Sequence, residues 1–219
     1  MNDLGLSIVS GRQRQGSLLP RDTQLLDRYG VSRTVLREAI KTLSAKGLLQ
    51  AKARIGTRVR DRAHWNLFDA DVLVWHAKTG FAPEFLTHLG EMRLALEPEA
   101  AALAAERRTA EQLEALKAWV ARMEGPHNRP DDFVQADLGL HLAIAQAADN
   151  PFFLSISTLI EVALVAMLTV SSPVDDPQRL VASVADHRAI VDAIAAGDPE
   201  AARLAMRTVV RTGIDGARR

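Results

Sequence analysis

The 219-residue sequence contains no cysteine. Disulfides, thiolate catalysis and cysteine-ligated zinc or iron–sulfur centres are thereby excluded, and a cytoplasmic address is the natural expectation. Aromatic residues make up only 5% of the chain, so aliphatic side chains and alanine must fill its core. No unbroken apolar run reaches the roughly 18 residues that a membrane helix needs. The best candidate, Leu154 to Val170, is interrupted by Ser155, Ser157, Thr158 and Glu161. The opening MNDLGLSIVSGRQRQG lacks a basic stretch followed by an apolar one and is not expected to act as a secretory leader. Net charge is absent too, with 27 basic residues against 27 acidic ones.

That balance conceals a division. Residues 1–62 carry 13 Lys and Arg against 5 Asp and Glu, while residues 63–219 carry 14 against 22. A small basic module joined to a larger acidic one suggests a polyanion binder attached to a part with a different task. The expected organisation is a DNA-binding module over 1–62, a linker and opening helix over 63–80, and an all-helical domain over 81–219. Beyond residue 80, Ala and Leu recur at three- and four-residue spacing, and Pro and Gly punctuate the pattern. Helices are predicted over 83–106, 109–124, 130–148, 151–170, 177–196 and 199–213.

In the basic module, Asp22–Tyr29 reads as a short helix stopped by Gly30, and Ser32 caps a second helix running to Leu43. Val35, Leu36, Ala39, Ile40 and Leu43 supply the expected apolar face of that helix. Short helix, glycine turn and capped helix is the grammar of a helix-turn-helix, whose second helix enters the major groove. Ser32, Arg33, Thr34 and Arg37 would then meet the DNA, either arginine having the fork for guanine and the hydroxyls suiting phosphate or base edges. From Gly47 to Arg60 the pattern suggests two strands around a turn, with Leu48, Leu49 and Val59 inward and Lys52, Arg54, Arg58 and Arg60 outward. Such a ribbon is a basic wing for phosphates or a minor groove; the alternative is an ordinary solvated hairpin.

The stretch LLPRDTQLLDRYGVSRTVLREAIKTLSAKGLLQAKARIGTRV resembles the winged-helix domain of the GntR family of bacterial transcription regulators. The resemblance implies DNA contacts at Thr23, Ser32, Arg33, Thr34 and Arg37, and at the wing around Arg54 and Gly56. Arg21-Asp22 stands where the family usually has a small residue followed by Glu, which keeps the carboxylate but shortens its reach.

In the acidic domain, Asp137-Leu-Gly-Leu-His141 places a carboxylate and an imidazole one turn apart on one helical face, and His187 sits in a similar setting later. Converging inside a bundle, these three have the chemistry to hold a divalent transition metal. The plainer alternative is a polar network in which Asp137 orients His141 and His187 satisfies a nearby acceptor. Arg93 offers a fork to a carboxylate ligand, or pairs with Glu97 four residues on, and the two roles are compatible. Arg188, Thr158, Asn150 and Gln146 are candidate secondary polar contacts. His64, His76, His88 and His127 have surface or packing settings.

EMRLALEPEAAALAAERR, DLGLHLAIAQAADNPFF and VADHRAIVDAIAAGDPEAARLAM resemble the FadR subfamily, whose effector-binding helical domain is called FCD, so the likeness spans about residues 6–211. In many such domains one Asp and three His hold a metal beside a carboxylate effector. Asp137, His141 and His187 match three of those ligands, and the fourth position is Val209. Metal binding is then weakened, completed by water or effector, or lost. WNLFDADVLVWHAKTG resembles the linker of galactonate-responsive repressors of sugar-acid catabolism.

The resemblance implies a winged helix-turn-helix joined to an all-α bundle, acting as a homodimeric regulator on a palindromic double-stranded operator. Its effector would be an aldonate or related carboxylate bound by Arg93, Asp137, His141 and His187. Zinc is the first choice of metal, with nickel or manganese as alternatives, and release of a repressor from DNA is the expected response. No membrane partner is expected. Competing readings are a metal-independent sensor of another organic acid, an architectural DNA binder without effector, and a metal-dependent enzyme using Asp137, His141, His187 and Arg93. Against the enzyme, the sequence offers no nucleophile–base pair and no glycine-rich phosphate loop.

Overall fold

A computed structural model of the chain describes residues 1–52, 54–125, 132–174 and 176–217. These form two compact units, Met1–Gly80 and Phe81–Arg219. The first holds helices α1 (Asn2–Val9), α2 (Asp22–Tyr29) and α3 (Arg33–Ala45), strands β1 (Leu49–Lys52) and β2 (Gly56–Val59), and helix α4 (Ala70–Lys78).

Local chemistry fixes each boundary. Gly30 takes the left-handed conformation (φ 61°) that ends α2, and the Ser32 hydroxyl accepts the Val35 N–H at 3.3 Å to start α3. The strands pair antiparallel with Leu49 opposite Val59 and Lys52 opposite Gly56. Leu48, Leu49 and Val59 are buried beneath them with Leu25, Leu36 and Leu43. Val35 departs from expectation. It is 52% exposed, because the buried stripe of α3 centres on Leu36 and Leu43 and leaves Val35 on its flank.

The segment expected as a linker and opening helix, 63–80, folds into the first unit, with α4 as its helix. Trp65, Val72, Leu73 and Trp75 are buried, and Trp75 lies against Gly5 of α1, where a Cβ would meet its ring at 2.5 Å. Asp69 caps α4, and Lys46 at the end of α3 bridges Asp69 at 2.7 Å and Asp71 at 2.9 Å. Helix α1 was not among the predicted elements. It is short, and buries Leu4, Ile8 and Val9.

The second unit is helical throughout its described residues: α5 (Pro83–Arg107), α6 (Ala110–Glu124), α7 (Asp132–Ala147), α8 (Pro151–Ser155), α9 (Ser157–Ser171), α10 (Pro177–Ala196) and α11 (Pro199–Ala217). Proline opens α5, α8, α10 and α11, where its missing N–H costs nothing. Thr109 and Gln112 form a capping box at α6, and Gly197 (φ 69°) ends α10. The predicted 151–170 helix is broken at Ile156 into α8 and α9, and α11 runs past 213. Helix α5 is central, packed by α11, α7, α10 and α9. Its Ala100, Ala101, Ala104 and Ala105 are all buried, and small side chains let neighbouring helices approach closely.

Candidate functional site

Helix α7 carries Asp137 and His141 one turn apart, α10 supplies His187, and α5 supplies Arg93 and Glu97. One-turn spacing sets each pair on one side of its helix, and all five residues are at most 3% exposed. Each of Asp137, His141 and His187 offers a ligand atom, and those atoms lie within 4.8 Å of one another. Arg93 and these three line one cavity of about 160 Å³, with Val209 and Thr212 on another wall.

The contacts define two linked groups. His187 Nε2 lies 2.9 Å from Asp137 Oδ1, and His187 Nδ1 lies 2.7 Å from the Ser183 carbonyl oxygen. Arg93 donates from Nε to Glu97 Oε1 at 2.5 Å and from Nη2 to Oε2 at 3.2 Å. Glu97 Oε2 is also 2.5 Å from His141 Nδ1. The two histidine–carboxylate contacts are close without being aligned: both nitrogens of His141, Nε2 of His187 and Oδ2 of Asp137 are buried with no well-directed hydrogen-bond partner. Misaligned nitrogens and a carboxylate oxygen crowded into one cavity form a donor set suited to a divalent cation.

Electrostatics bind the group together. Burial pushes the Glu97 carboxyl up, but the charges of Arg93 and His141 prevail and hold it at about 2. Burial likewise opposes ionisation of Asp137, and His187, His141 and Arg93 keep it below the ordinary carboxylate range. At His187 burial works against the charged ring, while Asp137 and the Ser183 carbonyl raise its pKa. Both shifts favour the charged forms of Asp137 and His187 facing each other. A cation would take the place of the His187 proton.

Several secondary expectations are corrected. Arg188 pairs with Glu124, Asn150 caps α8 by accepting the Phe152 N–H at 3.0 Å, and Gln146 is exposed. None of the three lines the cavity. His127 and the Thr158 side chain lie outside the described residues. Sequence reading missed the approach of Glu97 to His141, which joins two helices and leaves no local signature.

In the first unit Thr23, Ser32, Arg33, Thr34, Arg37, Arg54 and Gly56 are all exposed. On α3, Thr34 stands opposite buried Leu36 and Leu43, Arg37 lies on the flank, and Arg33 is exposed in the first turn. Arg54 sits in the turn between the strands with φ 63°, a left-handed conformation uncommon for a residue with a side chain. The wing tip thus projects a guanidinium from a tight turn.

The chain matches the gntR family of bacterial regulatory proteins over residues 2–59 and the FCD domain over residues 88–212. It belongs to the GntR family. A member of that family carrying an N-terminal winged helix-turn-helix and a C-terminal FCD domain is a DNA-binding transcription regulator and not an enzyme. The HTH-type transcriptional regulator YieP of Escherichia coli K12 is 35% identical, over 95% of this chain and 90% of its own. The galactonate operon transcriptional repressor of the same organism is 31% identical, over 94% of this chain and 90% of its own. Among solved structures, Lar, which controls expression of the Listeria monocytogenes agr system, covers 100% of this chain and 96% of its own, with a TM-score of 0.65 at 19% identity. That likeness carries the fold. Among the described residues, no helix of this GntR regulator is long and apolar enough to cross a membrane.

Proposed function

We propose that this GntR regulator is a cytoplasmic homodimeric repressor of sugar-acid catabolic genes, released from a palindromic operator when an aldonate or related carboxylate enters the FCD bundle. The observation that carries the reading is the convergence of Arg93, Asp137, His141 and His187 on one cavity. Arg93 supplies a fixed positive charge, which Glu97 orients. Asp137, His141 and His187 would hold a divalent metal, zinc first and nickel or manganese next. When bound, that metal would supply a Lewis-acidic centre for an anionic ligand. The 31% identity to the galactonate operon repressor supports a sugar acid over other carboxylates.

On the DNA side, the recognition helix would read bases through Arg33, Thr34 and Arg37. Thr23, Ser32, Arg54 and Gly56 would fix the module on phosphates. Two such modules, one per protomer, match the two halves of a palindrome. For the effector to release DNA it must bind one arrangement of the protein better than the other, since equal affinity shifts nothing.

Titration of operator DNA with a panel of aldonic and keto-deoxy sugar acids tests this, using metal-stripped and zinc-reloaded protein. One acid relieving a saturable shift, only after reloading, is the expected result. Specific DNA binding indifferent to every acid would overturn the effector assignment. Val209 favours a second reading, a metal-independent acid sensor, because it places an apolar side chain on the cavity wall and leaves three protein ligands. Relief that survives metal stripping would select it.

A further inference from the structure

Glu97 is the buried charged group that the ligand set leaves aside. It does not belong to the cluster of Asp137, His141 and His187, yet it is only 3% exposed and touches two members of the site at once. An ionised carboxylate so deep in a helical bundle needs strong compensation. Arg93 provides much of that through two hydrogen bonds, and the His141 ring adds to it. The second approach, 2.5 Å from Oε2 to His141 Nδ1, also acts on the ring itself.

A neutral imidazole has one N–H and one lone pair. A carboxylate held by Arg93 only accepts, so although Oε2 lies off the ring N–H direction, its negative charge 2.5 Å from Nδ1 favours a neutral His141 with the proton on that nitrogen and the lone pair on Nε2. His187, once a cation takes the place of its Nε2 proton, follows the same rule. The Ser183 carbonyl oxygen beside its Nδ1 is also an acceptor with no proton to give, and its Nε2 faces Asp137. Partners lying outside the cluster thus turn both rings the same way. Outer groups of this kind orient metal-bound histidines and raise their basicity.

We propose that Glu97 is a positioning residue: it holds His141 in the Nδ1–H tautomer, ties that ring to Arg93, and so presents His141 Nε2 as a metal ligand beside Asp137 and His187. The ligand half of this assignment rests on the metal reading above, whereas the tautomer half stands without any metal. Glu97 also links the guanidinium proposed to meet the effector with a ring proposed to meet the metal, so the two are set by one carboxylate.

The test uses the full-length protein. In metal-free protein labelled with 15N-histidine, at a pH where the His141 ring is neutral, two-bond nitrogen–proton correlations report its tautomer. The wild type should show His141 protonated at Nδ1, and Glu97→Gln, whose amide donates as well as accepts, should lose that preference. Zn2+ affinity, measured by competition with a chromophoric chelator, should fall about 10- to 100-fold in Glu97→Gln, with Glu97→Asp restoring part of the loss. The Co2+ absorption spectrum should change with it. Should Glu97→Gln fail to fold, the double variant Arg93→Met/Glu97→Met removes the buried pair together and carries the same affinity readout. An Nε2–H tautomer in the wild type, or Zn2+ affinity of a folded Glu97 variant within twofold of wild type, overturns the role of Glu97. Wild-type protein that shows the Nδ1–H tautomer but takes up neither metal overturns the ligand half and the metal reading beneath it.

Discussion

The Trp119 ring on α6 occupies the space that a side chain on Gly139 of α7 would need: a Cβ there would meet ring carbons at 2.6 Å. Gly139 lies between Asp137 and His141 in sequence but on the opposite side of the helix, two residues being about 200° of turn. The ring therefore presses α7 from behind and sets how far its two metal-ligand candidates reach into the cavity. Gly139→Ala should destabilise the protein by about 1–3 kcal/mol, the usual scale of overpacking, and weaken Zn2+ binding in parallel. Adding Trp119→Leu should restore both, a non-additive pair. Thermal melts and metal titration of the three variants check this. An unchanged midpoint in Gly139→Ala would mean the ring yields without moving the helix.

Much of this architecture is legible in the sequence because Pro and Gly punctuate it. Pro83, Pro177 and Pro199 mark helix starts, Gly30 and Gly197 mark stops, and Ser32 announces the recognition helix. The break at Ile156 has no such sign, because Ser155-Ile-Ser-Thr158 contains no helix breaker. Val35 misleads for a different reason. Apolar periodicity gives a face about 100° wide, but how much of it is covered depends on what packs there. In the site, the Asp137–His141 spacing is readable along one helix, whereas the meeting of Glu97 with His141 is a property of how two helices are docked. Candidate contacts chosen for polarity alone, Arg188 and Asn150, went instead to an ion pair and a helix cap.

Arg37 separates reading from folding. It is exposed on α3 and contributes nothing to the buried core, so Arg37→Ala should leave the melting curve unchanged. Operator binding should weaken by about 1–3 kcal/mol, with discrimination relaxed at one base position. Arg54→Ala at the wing should instead weaken all sequences alike and reduce the salt dependence by about one counterion. Fluorescence anisotropy on operator and scrambled duplexes over a salt series distinguishes the two. Equal losses on both duplexes for Arg37→Ala would remove it from base recognition.

Acid should act on the first unit through His76. Burial and then the nearby Arg62 charge lower its pKa from 6.5 to about 4, and its ring lies 6.1 Å from that of Trp65. The folded state thus prefers the neutral ring while the unfolded chain takes up a proton more readily. The resulting stability is complete above about pH 6.5 and is lost as pH falls toward 4. The Glu97 contribution in the second unit is lost lower, between 4.5 and about 2. In a Trp119→Phe background, Trp65 and Trp75 report the first unit alone, since the chain has three tryptophans. Their urea midpoint should drop across that window, and His76→Leu should flatten the slope. A slope unchanged by His76→Leu would assign the acid sensitivity elsewhere.

Val209 tests whether the cavity is a metal site short of one ligand. It is 8% exposed on α11 and lines the same cavity as Asp137, His141 and His187. Three protein ligands leave an open coordination position, the arrangement of sites that admit an exchangeable ligand, whereas four close the shell. If the three residues hold a metal, Val209→His supplies a nitrogen from the open wall. Zn2+ affinity should then rise by about one to two orders of magnitude, the scale on which ligand-shell changes act. Exchange should slow, and effector relief of DNA binding should weaken because the acid loses its coordination position. The cost of replacing a buried valine by imidazole should appear in the metal-free melt and vanish on zinc addition, since a ligand that binds only the folded state stabilises it. Isothermal titration with Zn2+ and paired melts of both proteins decide it. A variant that folds but gains no affinity would show that the three donors are not poised around a common ion, and would favour the buried Asp137–His187 ion pair as the native state of the site.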